Sequence, residues 1–237
     1  MIFAERIPPL PQVVRHTLID LYFPPSQPQS RKQEARKSAT NNACLAQLYL
    51  GKHRDPNRRP STFFTLVNFN LHLDQMEELG LDTNYFATEM AKTLALLHWV
   101  AKIDVDDVKF VLAGASININ IQAPTSEQVA KVPPNSSTIS SARFQRRPTH
   151  MWLLDFNRCS TISMDEEGVD AVVKAFYKND PYYPRPWGST KTDQQLWNVF
   201  RESYLESSEK FGQAALAEMF VRKVVGRRQA QLEEREG

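Results

Sequence analysis

The sequence predicts an α+β protein, and three observations carry that prediction. Strand-length apolar runs stand at residues 44–50, 63–69 and 108–112. Residues 83–101 carry the 3.6-residue periodicity of a long amphipathic helix, and further helical patterns follow after residue 163. A fourth apolar run, Met151-Trp-Leu-Leu, delivers a single carboxylate, Asp155, to its end. The first part is small and β-containing and the second larger and helical, dividing the chain into residues 1–69 and 70–237 with a flexible insertion at 113–149.

The elements follow in order. Val14, Leu18 and Leu21 are spaced like one face of a short helix between the prolines at 8, 9 and 11 and Pro24-Pro25. Residues 27–42 are polar and basic and read as a loop. The strands at 44–50 and 63–69 are joined by a charged turn, residues 52–60. A short helix is expected at 74–79. In the long helix Phe86, Met90, Leu94 and Leu97 repeat at i, i+4, i+8 and i+11, one buried face, and its C-terminal end presents His98. Asp104 to Leu112 reads as a loop entering a strand.

Residues 113–149 are rich in Ser, Thr, Pro and Gln, with Pro133-Pro134 and the polar run 135–141, so no core is expected there. After the strand ending at Asp155, Ser163-Met-Asp-Glu166 has the pattern of a capping box, in which hydroxyl and carboxylate satisfy the orphan amides of a helix start. Val169, Val172, Val173 and Phe176 give that helix its apolar face. The breaker Asp180-Pro-Tyr-Tyr-Pro-Arg-Pro ends it. A second capping pattern, Thr192-Asp-Gln-Gln195, precedes Leu196, Phe200 and Tyr204 at i+4 spacing, and residues 214–225 form a last helix before a charged tail.

Composition excludes several classes. With 237 residues, 41% of them hydrophobic and 10% aromatic, the chain can bury a core and is not a disordered protein. A net charge of +2 gives no general case for DNA or a membrane. Two cysteines, Cys44 and Cys159, without paired spacing read as reduced thiols, and the five scattered histidines offer no four-ligand zinc spacing. The N-terminus lacks a signal-peptide pattern and no window approaches a membrane span, so a cytoplasmic protein is expected. Its abrupt start on Ile7-Pro-Pro-Leu-Pro suits a fragment.

One constellation carries chemistry. The long helix, His98, the acidic run Asp104, Asp106 and Asp107, a strand, and then a strand ending in Asp155 follow the order of a protein-kinase catalytic lobe, whose two carboxyl or amide ligands converge on a triphosphate. The predicted fold is therefore protein-kinase-like, of the aminoglycoside-phosphotransferase type, with a partial N-terminal lobe and a mainly helical C-terminal lobe. Departures from that pattern weigh against phosphoryl transfer. Five residues before Asp107, where the kinase base would stand, is Lys102, and Asp104 is out of register. No Gly-x-Gly-x-x-Gly loop occurs, residues 44–51 hold no lysine for phosphates, and Asn157 stands where a kinase carries glycine.

His98 has two readings, a hydrogen-bonded core histidine or a substrate-binding group. Three carboxylates within four positions, at 104, 106 and 107, repel one another unless a cation compensates, which suits a bound amine or guanidinium as well as a solvated turn. Of three basic clusters, Arg143, Arg146 and Arg147 with Phe144 form the best candidate for RNA contact, because a stacking ring interrupts a basic loop.

Many linked segments resemble one fungal family: Ile7-Pro-Pro-Leu-Pro, Leu18-Ile-Asp-Leu-Tyr-Phe-Pro, Cys44-Leu-Ala-Gln-Leu-Tyr-Leu-Gly, Asn70-Leu-His-Leu-Asp-Gln-Met, Leu97-His-Trp, Asp107-Val-Lys-Phe-Val-Leu, Trp152-Leu-Leu-Asp-Phe-Asn-Arg-Cys and Asn179-Asp-Pro-Tyr-Tyr-Pro-Arg-Pro. That family is labelled zinc-finger-like, of unknown function, and includes the arginine-containing cyclodipeptide synthases of secondary metabolism. The resemblance implies an enzyme that condenses arginine with a second amino acid, both delivered as aminoacyl-tRNAs, arginyl-tRNA among them, into a diketopiperazine without a cofactor. On that reading the carboxylates of the kinase-like order, Asp107 and Asp155, are catalytic, with Asp106, Asp104, Asn157 and His98 binding substrate. Lys109 stands where the family often has Glu. Such chemistry starts from activated esters and needs orientation, a proton acceptor and oxyanion stabilisation rather than ATP. The alternatives on the same residues are a small-molecule phosphotransferase and a non-catalytic kinase-like interaction module.

Overall fold

The computed structural model describes residues 6–55, 57, 63–115, 149–179 and 181–236, with side chains up to residue 227. Among these the fold is α+β, with seven α-helices and one four-stranded mixed sheet. The strands are β1 (Ala46–Tyr49), β2 (Phe69–His72), β3 (Lys109–Gly114) and β4 (Thr149–Leu154), in the order β2-β1-β3-β4. β1 runs parallel to β2 and antiparallel to β3, and β3 and β4 form an antiparallel pair from Lys109 opposite Leu154 to Gly114 opposite Thr149. The sheet thus joins strands from both sides of residue 69. Alternation in β1 buries Ala46 and Leu48 and turns Gln47 and Tyr49 to the other face, whereas β3 is buried along Phe110–Gly114, as expected of an inner strand.

The helices are α1 (Gln12–Tyr22), α2 (Gln29–Lys37), α3 (Leu73–Glu78), α4 (Thr83–Trp99), α5 (Glu166–Lys178), α6 (Lys191–Lys210) and α7 (Ala214–Glu236). α4 packs along α6, and α7 closes against both α5 and α6. The periodic residues meet as expected: Phe86, Met90 and Leu94 are buried with Leu196, Phe200 and Tyr204, and Phe220 of α7 completes the cluster. None of the described helices is long and apolar enough to cross a membrane.

Several expectations are corrected. Residues 27–42 are not a loop: α2 occupies their centre, with no buried residue, because Arg, Lys, Gln, Glu and Ala are good helix formers and Lys32 and Arg36 reach back to Asp20 of α1. The second strand lies later than 63–69, at Phe69–His72, since only there does β1 offer a partner. Both capping boxes are displaced. α5 starts on Asp165, whose carboxylate accepts from Gly168 N at 3.1 Å while Ser163 donates to it at 2.6 Å. α6 starts on Thr190, which exchanges hydrogen bonds with Asp193, so Asp does at N3 what Glu or Gln was expected to do. β3 continues to Gly114 and β4 begins at Thr149, so both ends of the presumed insertion are sheet; residues 116–148 lie outside the described residues.

Residue 98 sits inside this helical core. His98 is 1% exposed and its Nδ1 lies 2.9 Å from the Tyr204 hydroxyl, with Trp99 and Phe220 edge-on to its ring. Burial lowers its pKa from 6.5 to about 3, so the native ring is neutral. As pH falls, the unfolded chain takes up this proton first, and the stability supplied by a neutral His98 is full above pH 6.5 and is lost from there down to about pH 3. His98→Gln keeps a partner for Tyr204 and removes the titration. In chemical denaturation between pH 6.5 and 5, the unfolding free energy of the unmodified chain should fall more steeply than that of the variant; parallel slopes would refute a neutral buried imidazole.

Candidate functional site

At one end of the strands five segments converge: the end of β1, the loop 102–107, the start of β3, the end of β4 with the short 3-10 turn Phe156–Arg158, and the chain after α5. The antiparallel register explains the core of the site. Lys109 opens β3 opposite Leu154, the last residue of β4, so the next residue, Asp155, falls beside the Lys109 ammonium and pairs with it. Lys109 also lies 3.9 Å from Asp107, whose other carboxylate oxygen is 3.8 Å from Arg158. The pKa of Lys109 is raised, chiefly by its hydrogen bond to Asp155, and the amine stays protonated.

Two tyrosines complete this side. Tyr49 and Tyr182 both donate to Gln47 Oε1 at 2.9 Å and their rings meet edge-on. Burial raises both phenols, with the Lys109 charge opposing the shift at Tyr49 and the Asp107 and Asp155 charges adding to it at Tyr182. Neither phenol is a ready base. Tyr182 is delivered here because Leu50 N and Gly51 N donate to Tyr182 O and Pro181 O at 3.0 and 2.9 Å. That approach requires glycine at 51, where a Cβ would meet Tyr183 O at 2.3 Å.

The acidic loop is held by backbone geometry that L-residues rarely adopt. Of the six non-glycine residues at positive φ among those described, Lys102, Val105 and Asp107 lie in this loop and Asp155 faces it. For Asp the left-handed region is tolerated; for β-branched Val105 it is an outlier. Such conformations cost about 1–3 kcal/mol each and persist only where neighbours enforce them. The half-exposed ion pairs here contribute at most about 1 kcal/mol each. Enforcement comes instead from Asn179, 6% exposed, whose side chain donates to Val105 O at 2.6 Å and accepts from Asp107 N at 2.8 Å. A second anchor is the Ile103–Thr161 bridge, flanked by Asp104 N to Ser160 O and Ile162 N to Lys102 O.

The expected residues therefore separate. Asp107 and Asp155 come together across Lys109. Asp104 is a turn residue whose Oδ1 accepts from the amides of Asp106 and Ser160, at 3.1 and 2.9 Å. Asp106 turns the opposite way, pairing with Lys178 of α5, and its Oδ1 is buried without a hydrogen-bond partner. Asn157 is exposed beside Asp155. His98 does not join them; it is a core residue, corrected from a substrate contact because no solute reaches a ring 1% exposed. Arg143, Arg146 and Arg147 lie outside the described residues. Sequence reasoning missed Asn179, Gln47, Tyr49 and Tyr182 as members of the site. The breaker from Asp180 marked the end of a helix, and nothing announced that the residue before it, Asn179, would aim its amide back at residues 105 and 107.

Asn179→Ala leaves Val105 O and Asp107 N without partners at strained positions. It should lower the unfolding free energy by about 2 kcal/mol, the cost of two buried unsatisfied groups less relaxation. Denaturant unfolding of the variant measures this, and a loss below about 0.5 kcal/mol would show that the loop is held elsewhere.

A family model for a domain of unknown function, described as a zinc finger protein, matches residues 151–215. No curated protein and no solved structure matches the chain. The matched stretch runs from β4 through Asp155, α5 and Asn179 into α7. It contains one cysteine, Cys159, and no histidine, whereas a structural zinc site takes four Cys or His ligands. Among the described residues no three His, Cys, Asp or Glu side chains are grouped to hold a metal ion. Burial pushes the Cys44 thiol up to about 12 and also raises Cys159, against the thiolate that zinc requires. The residues present do not fit a zinc finger, and what this chain shares with that zinc-finger-like family is a stretch of sequence carrying Asp155 and Asn179.

Proposed function

We propose that the chain is a kinase-like catalytic lobe turned to aminoacyl-ester chemistry: an arginine-containing cyclodipeptide synthase that draws on aminoacyl-tRNA, arginyl-tRNA included. The observation that supports this most is the pair Asp107 and Asp155, held at left-handed backbone positions on either side of one lysine ammonium. Helix α4, the strained acidic loop, the β3–β4 hairpin and a terminal Asp are the parts a kinase uses for its nucleotide. Here the Lys109 ammonium pairs with Asp155, the carboxylate that on this reading corresponds to a kinase's magnesium ligand.

The chemistry asks for little else. The α-amine of one aminoacyl ester attacks the carbonyl of the other, the tRNA ribose hydroxyl leaves, and a second, intramolecular attack closes the ring with loss of the second hydroxyl. A carboxylate accepts the amine proton at each attack, and Asp155 or Asp107 serves. The tetrahedral oxyanion requires a fixed positive donor, for which Lys109, kept protonated by Asp155, is suited. Arginine's guanidinium binds the outer faces of the carboxylates, whose side chains are 36% and 41% exposed, through charge-assisted hydrogen bonds.

Expression with a cellular tRNA pool, followed by mass spectrometry, should yield cyclo-arginyl dipeptides. Asp155→Asn should lower their yield by at least about a hundredfold, the scale of losing a general base, with the fold retained. Lys109→Met should lower it by a similar factor as an oxyanion donor. A folded chain that makes no diketopiperazine overturns the reading, and stabilisation of that chain by ATP with magnesium would assign the carboxylates to phosphoryl transfer instead.

A further inference from the structure

Behind the acidic loop a cavity of about 670 Å³ opens between α5, the chain after it and α7. That is the size of a small-ligand pocket. Its charged lining is lopsided. Among the described lining residues Lys174, Lys178, which pairs with Asp106 of the loop, Arg185 and Arg227 face it with one carboxylate, Asp193. Asp193 is already engaged by His53 at 2.8 Å, by Thr190 N at 3.1 Å and by the Ser189 hydroxyl at 3.4 Å. Among the described residues Lys174 and Arg227 have no carboxylate within ion-pair distance.

The cations are set on an aromatic scaffold. Arg185 lies 4.6 Å over the Phe176 ring and 5.1 Å over Tyr177, and both of its terminal nitrogens donate to Phe176 O at 3.3 Å. Arg227 also lies over the Tyr177 ring, at 5.0 Å. At the lip stands Trp187, 55% exposed, at φ 64, with its indole nitrogen 3.4 Å from Val225 O. An exposed indole held in the left-handed region beside four cations is a costly arrangement for a surface without a ligand.

We infer that this cavity binds a nucleotide, its phosphate between Lys174 and Arg227 and its base stacked on Trp187. Phosphate favours planar guanidinium forks and ammonium donors, and an exposed indole supplies the sequence-tolerant stacking that a base requires. Lys178 is common to both regions, lining the cavity while pairing with Asp106, so a nucleotide seated here stands next to the carboxylate loop. The inference rests on these residues and not on the aminoacyl reading, and binding is measured without turnover.

The same chemistry comes from a free nucleotide or from the end of a single-stranded RNA, and titrations of the full chain at low salt separate them. Adenosine monophosphate, a short single-stranded RNA and inorganic phosphate are compared by calorimetry and by quenching of tryptophan fluorescence. At least one of the first two should bind at least about ten times more tightly than phosphate, the step of one stacking contact. The Lys174→Ala, Arg227→Ala double variant, changed at two exposed positions, should weaken that binding by at least about ten-fold, and Trp187→Leu should abolish the quench. Comparable affinities for the monophosphate and the RNA identify a free nucleotide; an RNA advantage of ten-fold or more identifies a strand. Phosphate binding as tightly as either, an unaltered double variant of native circular dichroism, or no binding of nucleotide and RNA overturns the assignment.

Discussion

The side-chain amide of Asn179 is the interaction on which the site depends. It stands at the C-terminal end of α5, where its own N–H closes the last turn on Ala175 O and its carbonyl receives Tyr182 N at 3.1 Å. From there its side chain spans to Val105 O and Asp107 N, fixing both ends of a strained tripeptide. One residue thus ties together a helix, the loop that carries Asp107, and the segment that delivers Tyr182 to Gln47. Buried amide hydrogen bonds of this kind are strong because the alternative is two unpartnered backbone groups out of water.

Around that clamp the charges are arranged in alternation. Asp155, Lys109, Asp107 and Arg158 form a chain on one side, while Asp106 and Lys178 turn to the other and lead into the basic cavity. All are partly exposed, so their pairings hold side chains in place more than they stabilise the fold. Stability comes from the aromatic packing of α4, α6 and α7 around His98, Tyr204 and Phe220. The division lets the loop keep unfavourable backbone angles without endangering the domain.

The apolar periods were legible: Phe86, Met90 and Leu94 bury the face their spacing assigns, and the strand into Asp155 lies where its apolar run ends. Local chemistry was less so. α2 buries nothing, and a helix without an apolar face gives no periodic signal. The caps at Asp165 and Thr190 each sit two residues from the position the Ser/Thr-x-x-Glu/Gln pattern indicated, because Asp can fill either role in a cap.

What the sequence determined by itself is the α+β class and the presence of two carboxylates, Asp107 and Asp155, at the ends of apolar runs, since burial patterns are written in nearest-neighbour spacing. Only the tertiary structure decided that these carboxylates share Lys109, that Asn179 holds their loop, and that His98 belongs to the core. Each of those depends on strand register or on contacts between residues more than about 40 positions apart, and spacing along a chain carries no record of which distant groups the fold will bring within 3 Å.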